Sequence, residues 1–231
     1  MTELSLNQVD VDGAIRETAA EAEAALAGDT RLHFLRKAGL AGGAAVSGGA
    51  ILSALTSSAA FAASGAPPAS FGKGDIGILN YALTLEYLEA AFYNEAKSKG
   101  AITDPMTQTF LSTVVRDENA HVALLKKALG SKAVKTPKFD FGTTTSDQAT
   151  FQKTAYVLEN TGVHAYLGQA TNIQAVAYLV VAAEIVTIEA RHAGAIALIT
   201  GQAIAPSGPL DKPFPASTVL SAVKSTGFIT G

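Results

Sequence analysis

Two pairs of acidic and imidazole side chains recur in this sequence at a spacing that places both groups on one helical face. His121 follows Glu118 by three residues, and His192 follows Glu189 by the same interval. Residues three apart are neighbours on a helix surface. Both pairs lie on apolar stripes, and a carboxylate buried there without a partner costs several kcal/mol. We therefore expect a compensating cation where the two pairs meet.

Two further glutamates, Glu86 and Glu159, repeat in register with these pairs. A two-fold arrangement of helical hairpins brings four glutamates and two histidines to the centre of the molecule. Carboxylates bridge hard cations and imidazole adds a nitrogen ligand, so the set suits two divalent metal ions. The predicted metal ligands are Glu86, Glu118, His121, Glu159, Glu189 and His192. The alternative interpretation is a buried salt-bridge network without metal.

Four long helical segments, at about 75–99, 104–129, 145–170 and 172–200, carry these residues on apolar stripes of helical period. Asp104 before Pro105 predicts the start of the second helix, and Thr145 with Gln148 predicts a capping box that opens the third. Short links within each pair require antiparallel neighbours, whereas the link near 131–146 can span the length of a helix. The sequence predicts an all-α four-helix bundle of two antiparallel hairpins joined by a long crossover.

The bundle, at 70–202, is flanked by a leader at 1–69 and a Pro/Gly-rich tail at 203–231 with a short helix near 217–224. The leader combines a basic cluster at 31–37, an uncharged stretch and a small-residue site at Ala60-Phe61-Ala62. These features predict an export signal at about 31–63 and a periplasmic or extracellular protein. The basic cluster resembles a twin-arginine motif in which Leu32 replaces the second arginine. A membrane anchor and a disordered cytoplasmic arm are the alternatives.

Composition excludes several classes of function. The chain of 231 residues has no cysteine, which removes disulfides, thiolate catalysis and iron–sulfur clusters. Its formal charge of -3 argues against nucleic-acid binding. The fourth segment is very apolar, but its charged residues would interrupt a membrane span, and no stable span is expected in the mature chain. Such a helix favours burial on most sides, in the bundle or against another subunit of a homo-oligomer.

Residues 75–201 resemble the ferritin-like superfamily of di-iron and di-manganese carboxylate proteins. Leu79, Asn80, Glu86 and Tyr93 resemble the first helix of bacterioferritin. The leader and the stretch 79–93 are most similar to exported ferritin-like domain proteins, a group that includes plant desiccation-related proteins. The resemblance implies that Glu86 and Glu159 are single ligands and that each Glu–His pair supplies two more. It also implies that Tyr93 and Tyr166 orient the carboxylates.

The resemblance implies redox chemistry with O₂ or peroxide at a dinuclear centre, in stress protection. Metal storage in a cage is a second candidate function, although the leader and the Pro-rich tail are unlike a compact ferritin subunit. A non-catalytic structural protein that protects the envelope during drying or oxidative stress is a third, which rests on family analogy alone.

Other residues near these positions have simpler interpretations. Glu89 is predicted to line the edge of the bundle, with a seventh ligand as the alternative. His164 lies about 140° around the helix from Glu159 and is predicted to be a surface or packing residue. Tyr93 and Tyr166 have core packing as an alternative role. Arg191 has two candidate partners, which are Glu184 and Asp117.

Overall fold

The computed structural model describes residues 65–230, and most of this part of the chain is helical. The five α-helices are α1 (Gly74–Lys99), α2 (Pro105–Leu129), α3 (Gln148–Gln169), α4 (Val176–Thr200) and α5 (Ala216–Thr226). Single turns of 3-10 helix occur at Ala69–Phe71 and Gly130–Lys132. Since residues 65–230 contain no strand, the predicted all-α fold class is confirmed. The predicted export signal and the rest of the leader before residue 65 lie outside the described residues.

The first hairpin has the boundary residues that its sequence predicts. Asp104 caps α2, and its carboxylate accepts a hydrogen bond of 2.8 Å from the backbone N–H of Thr107. Pro105 occupies the first helical position, where its missing N–H costs nothing. Gly100 ends α1 in the left-handed conformation at φ 61°, which favours glycine. The short link between these two boundaries keeps α1 and α2 antiparallel.

The predicted starts of the third and fourth helices are wrong by a few residues. Asp147, not Thr145, caps α3 by accepting from the backbone N–H of Thr150 at 2.9 Å. The Thr145 hydroxyl instead donates to Glu95, at 2.6 Å. The fourth helix begins at Val176 rather than 172, because Asp75 holds the preceding turn by accepting from two backbone N–H groups, at 2.7 and 2.8 Å.

The crossover between the hairpins runs along the bundle as predicted. The side-chain oxygen of Gln148, at the start of α3, accepts from the backbone N–H groups of Thr103 and Asp104 at 2.9 and 2.7 Å. The start of α3 therefore lies beside the start of α2. Since α2 ends at Leu129, the chain returns over the helix length between that residue and Gln148. This connection makes α2 and α3 parallel, as in bundles with one long crossover.

Two apolar clusters fill the interior on opposite sides of a polar layer. One contains the aromatic rings of Phe92, Phe110 and Phe151. The other contains Leu83, Leu125 and other aliphatic side chains. The predicted ligands lie in the helical turns between these clusters, so apolar packing separates them from water at both ends. α5 adds Val219 and Val223 to the aromatic cluster.

The tail is packed against the bundle. A single antiparallel bridge joins Phe139 of the crossover to Ile229, and Asp140 donates its N–H to the carbonyl of Phe228 at 2.9 Å. The predicted short helix of the tail is α5, which extends a residue or two beyond 217–224 at each end. Within residues 65–230, no helix combines the length and apolarity that a membrane crossing requires.

Candidate metal centre

The six residues predicted as ligands converge in the polar layer at the centre of the bundle. α1 contributes Glu86, α3 contributes Glu159, and α2 and α4 each contribute a Glu–His pair. The four glutamates have no solvent exposure, and the two histidines are 7% and 4% exposed. Each side chain is fixed by its helical phase, because the stripe that faces the core carries the ligand positions. The sequence spacing therefore brings together all six groups.

The imidazole of His121 faces three carboxylates from three helices. Its Nδ1 atom lies 3.2 Å from Glu86 Oε2, 3.1 Å from Glu118 Oε2 and 3.3 Å from Glu189 Oε1. A single ring nitrogen cannot donate to three acceptors at full strength. Three carboxylate oxygens therefore lie around one imidazole nitrogen, more than hydrogen bonds from that nitrogen can satisfy.

The imidazole of His192 has the corresponding environment on the other side of Glu118. Its Nδ1 atom lies 3.1 Å from Glu118 Oε1 and 3.2 Å from Glu159 Oε2. Neither contact has the alignment of a hydrogen bond, and Nδ1 is without a hydrogen-bond partner. Glu118 thus offers one carboxylate oxygen to each histidine.

The ligand atoms form two groups of four, and within each group they lie within 4.8 Å of one another. The first group is Glu86, Glu118, His121 and Glu189, and the second is Glu118, Glu159, Glu189 and His192. Two glutamates, Glu118 and Glu189, belong to both groups. Each group supplies one imidazole nitrogen and three carboxylates, a donor set that suits Fe or Mn. The cluster is compatible with two adjacent metal ions that share two carboxylates.

Two buried tyrosines bind the unshared carboxylates. Tyr93 of α1 donates to Glu159 Oε1 of α3, and Tyr166 of α3 donates to Glu86 Oε1 of α1, both at 2.5 Å. Burial, followed by the charge of the bonded carboxylate, raises the pKa of both hydroxyls well above its ordinary value. The tyrosines therefore stay protonated and leave one oxygen of each carboxylate facing the cluster. This exchange between α1 and α3 places the tyrosines where they can orient the ligands.

Several buried polar atoms of the cluster have no hydrogen-bond partner within the described chain. They are Glu118 Oε1, Glu159 Oε2, both oxygens of Glu189, His192 Nδ1 and Glu89 Oε2. Buried polar atoms are nearly always hydrogen-bonded, because leaving one unpaired costs about 1–3 kcal/mol. Their concentration in one layer, on the sides that face each other, fits the requirements of metal ions.

The carboxylates respond differently to their burial. Burial, and then the charges of Glu118 and Glu86, raise the pKa of Glu189 well above its ordinary value. Burial raises the pKa of Glu118 to about 7, although both histidines lie close to its carboxylate and oppose this rise. Burial also opposes ionisation of Glu86, but the hydrogen bond and charge of His121, together with the hydrogen bonds of Glu118 and Tyr166, outweigh it and lower that pKa. Without a cation, the cluster must therefore keep protons on part of its carboxylates.

The carboxylates around the two histidines favour the protonated form of both imidazoles. Burial opposes their charge, but the close carboxylates of Glu118 and Glu159 outweigh it and raise the pKa of His192 to about 11. The pKa of His121 is raised in the same way by Glu118, Glu189 and Glu86. A metal ion must displace these protons, because imidazole coordinates through a neutral nitrogen.

Asp117, which the sequence offered as one of two candidate partners of Arg191, is instead a functional candidate beside His192. Its Oδ2 atom lies 3.1 Å from His192 Nε2, on the side of the ring opposite Nδ1. Arg116 donates to the same carboxylate at 2.6 and 3.0 Å, and Arg191 does not pair with it. A carboxylate that accepts from Nε2 leaves Nδ1 free to bind a metal and fixes the ring orientation. A charged residue beside a predicted ligand was the available signal, but the contact joins positions 75 residues apart.

The structure also places two other polar residues, Glu89 and His164, for which the sequence left alternatives open. Glu89 is not at the edge of the bundle, since it is 3% exposed and its pKa is raised by burial and by the charge of Glu189. It is absent from both groups of candidate ligands. His164 has a packing role, because its ring stacks on Phe214 at 4.2 Å and its Nδ1 binds the carbonyl of Lys212 at 2.7 Å.

Gly162, in the middle of α3, makes room for the shared carboxylate of Glu189. A Cβ atom added at position 162 would collide with Glu189 Oε2 and lie 3.6 Å from Glu89 Oε1. Glycine in a helix interior costs about 1 kcal/mol relative to alanine, so its presence here requires a compensating gain. The close approach of the Glu189 carboxylate supplies that gain.

The Gly162→Ala variant tests this account. We expect metal affinity to fall by on the order of tenfold or more, because the added methyl group displaces a carboxylate that both groups share. Isothermal titration calorimetry with Fe(II) or Mn(II) measures the change in metal affinity. Gly194→Ala is the matched control, since a Cβ there meets only Ile204, at 3.8 Å. Equal affinities in the two variants would contradict the role of Gly162.

A groove with a volume of about 520 Å³ lies between α2 and α4 and reaches the cluster. Phe110 and His192 belong to its lining, together with Met106, Arg191 and Leu198. The groove is mostly apolar, and His192 is the residue of the ligand set that it contacts. Small molecules can approach the His192 side of the cluster by this route.

Comparison with known proteins agrees with this geometry. A family profile described as "Ferritin-like domain" matches residues 74–202, which is more than half of the chain. The chain belongs to the ferritin-like domain family. No curated protein matches the sequence. The match begins at the first residue of α1 and ends just after α4, so it includes all six residues that we predict as ligands. The resemblance to the ferritin-like superfamily is thus confirmed.

Proposed function

We propose that this ferritin-like domain binds two Fe or Mn ions side by side and uses them for redox chemistry with O₂ or peroxide. The observation that carries the proposal is the pair of four-residue groups that share Glu118 and Glu189. The unpartnered oxygens and nitrogen of the cluster belong to residues of these groups, apart from Glu89. One ion in each group would satisfy atoms that the protein itself leaves unbound.

Charge balance supports metal ions over a salt-bridge network. Five buried glutamates, the four ligands and Glu89, face only two histidines in this layer. Among residues 65–230, the histidines are the cations within ion-pair distance of the four ligand glutamates. Two protonated imidazoles leave an excess of carboxylates that must stay protonated or repel one another. Two divalent ions would neutralise four carboxylates and free both histidines to coordinate.

When bound, a pair of Fe or Mn ions supplies two-electron chemistry, which matches the reduction of one peroxide molecule with two protons to two waters. The protein's own part is to hold the site dry and in a fixed geometry. Apolar clusters close both ends of the polar layer. Tyr93, Tyr166 and Asp117 each bind the outer side of a ligand residue and fix its orientation.

Elemental analysis and peroxide assays of the full chain test the proposal. We expect close to two Fe or Mn ions per chain and metal-dependent consumption of peroxide or oxidation of Fe(II). Disproportionation of peroxide releases one O₂ for every two H₂O₂ consumed and needs no external reductant, so O₂ release separates this reaction from a peroxidase. A protein that binds no metal would contradict the proposal, and so would a metal-loaded protein that neither consumes peroxide nor oxidises Fe(II).

We also propose that the chain is exported and acts in stress protection. The basic cluster at 31–37, the uncharged stretch and Ala60-Phe61-Ala62 support export. The stress role rests on the family resemblance. Cell fractionation tests the location, and recovery after drying or peroxide exposure in a strain with Glu118 and Glu189 replaced by alanine tests the role. Full protection by that variant would favour a non-catalytic structural protein.

A further inference from the structure

The outward face of α4 is almost free of charge. Ten of its residues are exposed, namely Val176, Ala177, Val180, Ala183, Glu184, Thr187, Ala190, Arg191, Ala195 and Leu198. Val180 is 50% exposed and Leu198 is 66% exposed. The exposed face of α2 is different, because it carries Gln108, Ser112, Arg116, Asn119, Lys126 and Lys127. Solvent-facing helices normally have polar residues of this kind, so the face of α4 is suited to contact with another surface.

Positions along this face follow the spacing of a helix–helix seam. Intervals of three and four residues alternate without interruption through Ala177, Val180, Glu184, Thr187, Arg191, Gly194 and Leu198. We call these seven residues the α4 seam. Six are exposed and Gly194 is half-buried. An alternation of three and four keeps one line of residues facing a partner helix, and the small residues in it allow close approach.

The two charged residues of the seam are opposite in sign and two helical turns apart. Glu184 and Arg191 have no ion-pair partner within residues 65–230. Seven residues correspond to about 10.5 Å of helix, too far for a pair within one helix. In two antiparallel copies related by a two-fold axis between Thr187 and Ile188, Glu184 of each copy faces Arg191 of the other. Parallel copies would instead place like charges together.

We propose that two copies of this chain associate through antiparallel packing of their α4 seams, with two Glu184–Arg191 ion pairs across the two-fold axis. In this register Val180 faces Ala195, and Ala177 faces Leu198. Every apolar position of the seam is then covered by an apolar position of the second copy. The seam is self-complementary in both shape and charge, as a two-fold interface requires.

The same packing affects the groove beside the cluster. Arg191, Ala195 and Leu198 line the groove and also lie on the exposed face of α4. Side chains from the start of the second copy's α4 therefore lie over the mouth of the groove. The dimer narrows this entrance, which favours small molecules over large ones.

Charge reversal tests the pairing directly. We expect the full chain to have twice its monomer mass in solution by light scattering. Glu184→Arg and Arg191→Glu should each weaken dimerisation at least tenfold, because each places like charges together at two symmetric positions. The double variant should restore the dimer. Lys153→Glu, an exposed charge reversal on α3, is the matched control and should leave the mass unchanged.

Cross-linking tests the register without depending on charge. The chain has no cysteine, so Thr187→Cys introduces the only thiol. With the two α4 helices packed 8–10 Å apart, the two copies of residue 187, which lie next to the two-fold axis, come within reach of a disulfide. We expect oxidation to produce covalent dimers of Thr187→Cys and not of Lys153→Cys. Circular dichroism and metal content should match the parent protein, which separates this result from the metal proposal.

Other outcomes overturn the proposal. A monomeric full chain would contradict the proposal. The α4 seam would then be covered by residues 38–64 of the same chain or by another protein. A dimer that is insensitive to both reversals and to Thr187→Cys would place the interface elsewhere. Failure of the double variant to recover the dimer, with its helical content intact, would exclude the Glu184–Arg191 pairing.

Discussion

We expect the Glu118→Gln variant to lose both metal ions, whereas Glu86→Gln should lose or weaken only one. Glu118 belongs to both four-residue groups and offers one oxygen to each histidine side. Glu86 belongs only to the group with His121. An amide retains the size of the side chain but removes the charge that two ions would share. The expected loss of affinity is on the order of 100-fold or more for Glu118→Gln, above the range for residues that only orient a ligand.

Metal titration with stoichiometry from elemental analysis distinguishes these variants. Glu159→Gln completes the set, since it should affect only the group with His192. Asp211→Asn, at an exposed position of the tail, controls for the change from a carboxylate to an amide. Equal losses in Glu86→Gln, Glu159→Gln and Glu118→Gln would show that the carboxylates do not divide into shared and unshared ligands.

The ligand positions could be predicted from sequence because they depend on helical phase. A Glu and a His three residues apart on an apolar stripe must point into the core, whatever the exact ends of their helix. Phase errors do not accumulate over three residues. The starts of α3 and α4 were predicted less well, since Asp147 and Asp75 decide them through contacts of a single carboxylate.

Residue spacing within one helix could not predict which side chains of different helices contact each other. Asp117 binds His192 on another helix, and its sequence neighbours gave no indication of this partner. Gly162 is important because it lacks an atom that would collide with Glu189. A glycine three residues after Glu159, within a helix, was a readable signal of close approach, but its partner depends on how α3 and α4 pack. Tyr93 and Tyr166 likewise bind carboxylates of each other's helix.

Removal of the metal should lower the thermal stability of the protein substantially. Binding stabilises the folded state by about 4 kcal/mol for each ion when free metal exceeds Kd a thousandfold. In a domain of this size that corresponds to a loss on the order of 10 °C in Tm for each ion removed by a chelator. Calorimetry of loaded and chelated protein measures the difference.

The difference in Tm should widen as pH rises from 5 to 8. In the apo protein, burial raises the pKa of Glu189 well above its ordinary value and that of Glu118 to about 7. The folded apo state therefore binds more protons than the unfolded state above about pH 4.5, so its stability falls as pH rises. Loaded protein follows the opposite trend, because deprotonated ligands bind metal more tightly. A difference that narrows with pH would contradict this assignment of protons.

Glu189→Gln isolates the metal contribution to this stability. Burial and the charges of neighbouring carboxylates raise the pKa of Glu189 well above its ordinary value and favour its neutral form, so we expect an amide of the same shape to leave the apo Tm nearly unchanged. The same substitution removes a carboxylate that both groups share, so added metal should no longer raise the Tm. A salt-bridge network without metal predicts no response to metal in either protein. A parent protein that gains stability with metal, beside a variant that does not, identifies the buried carboxylates as ligands.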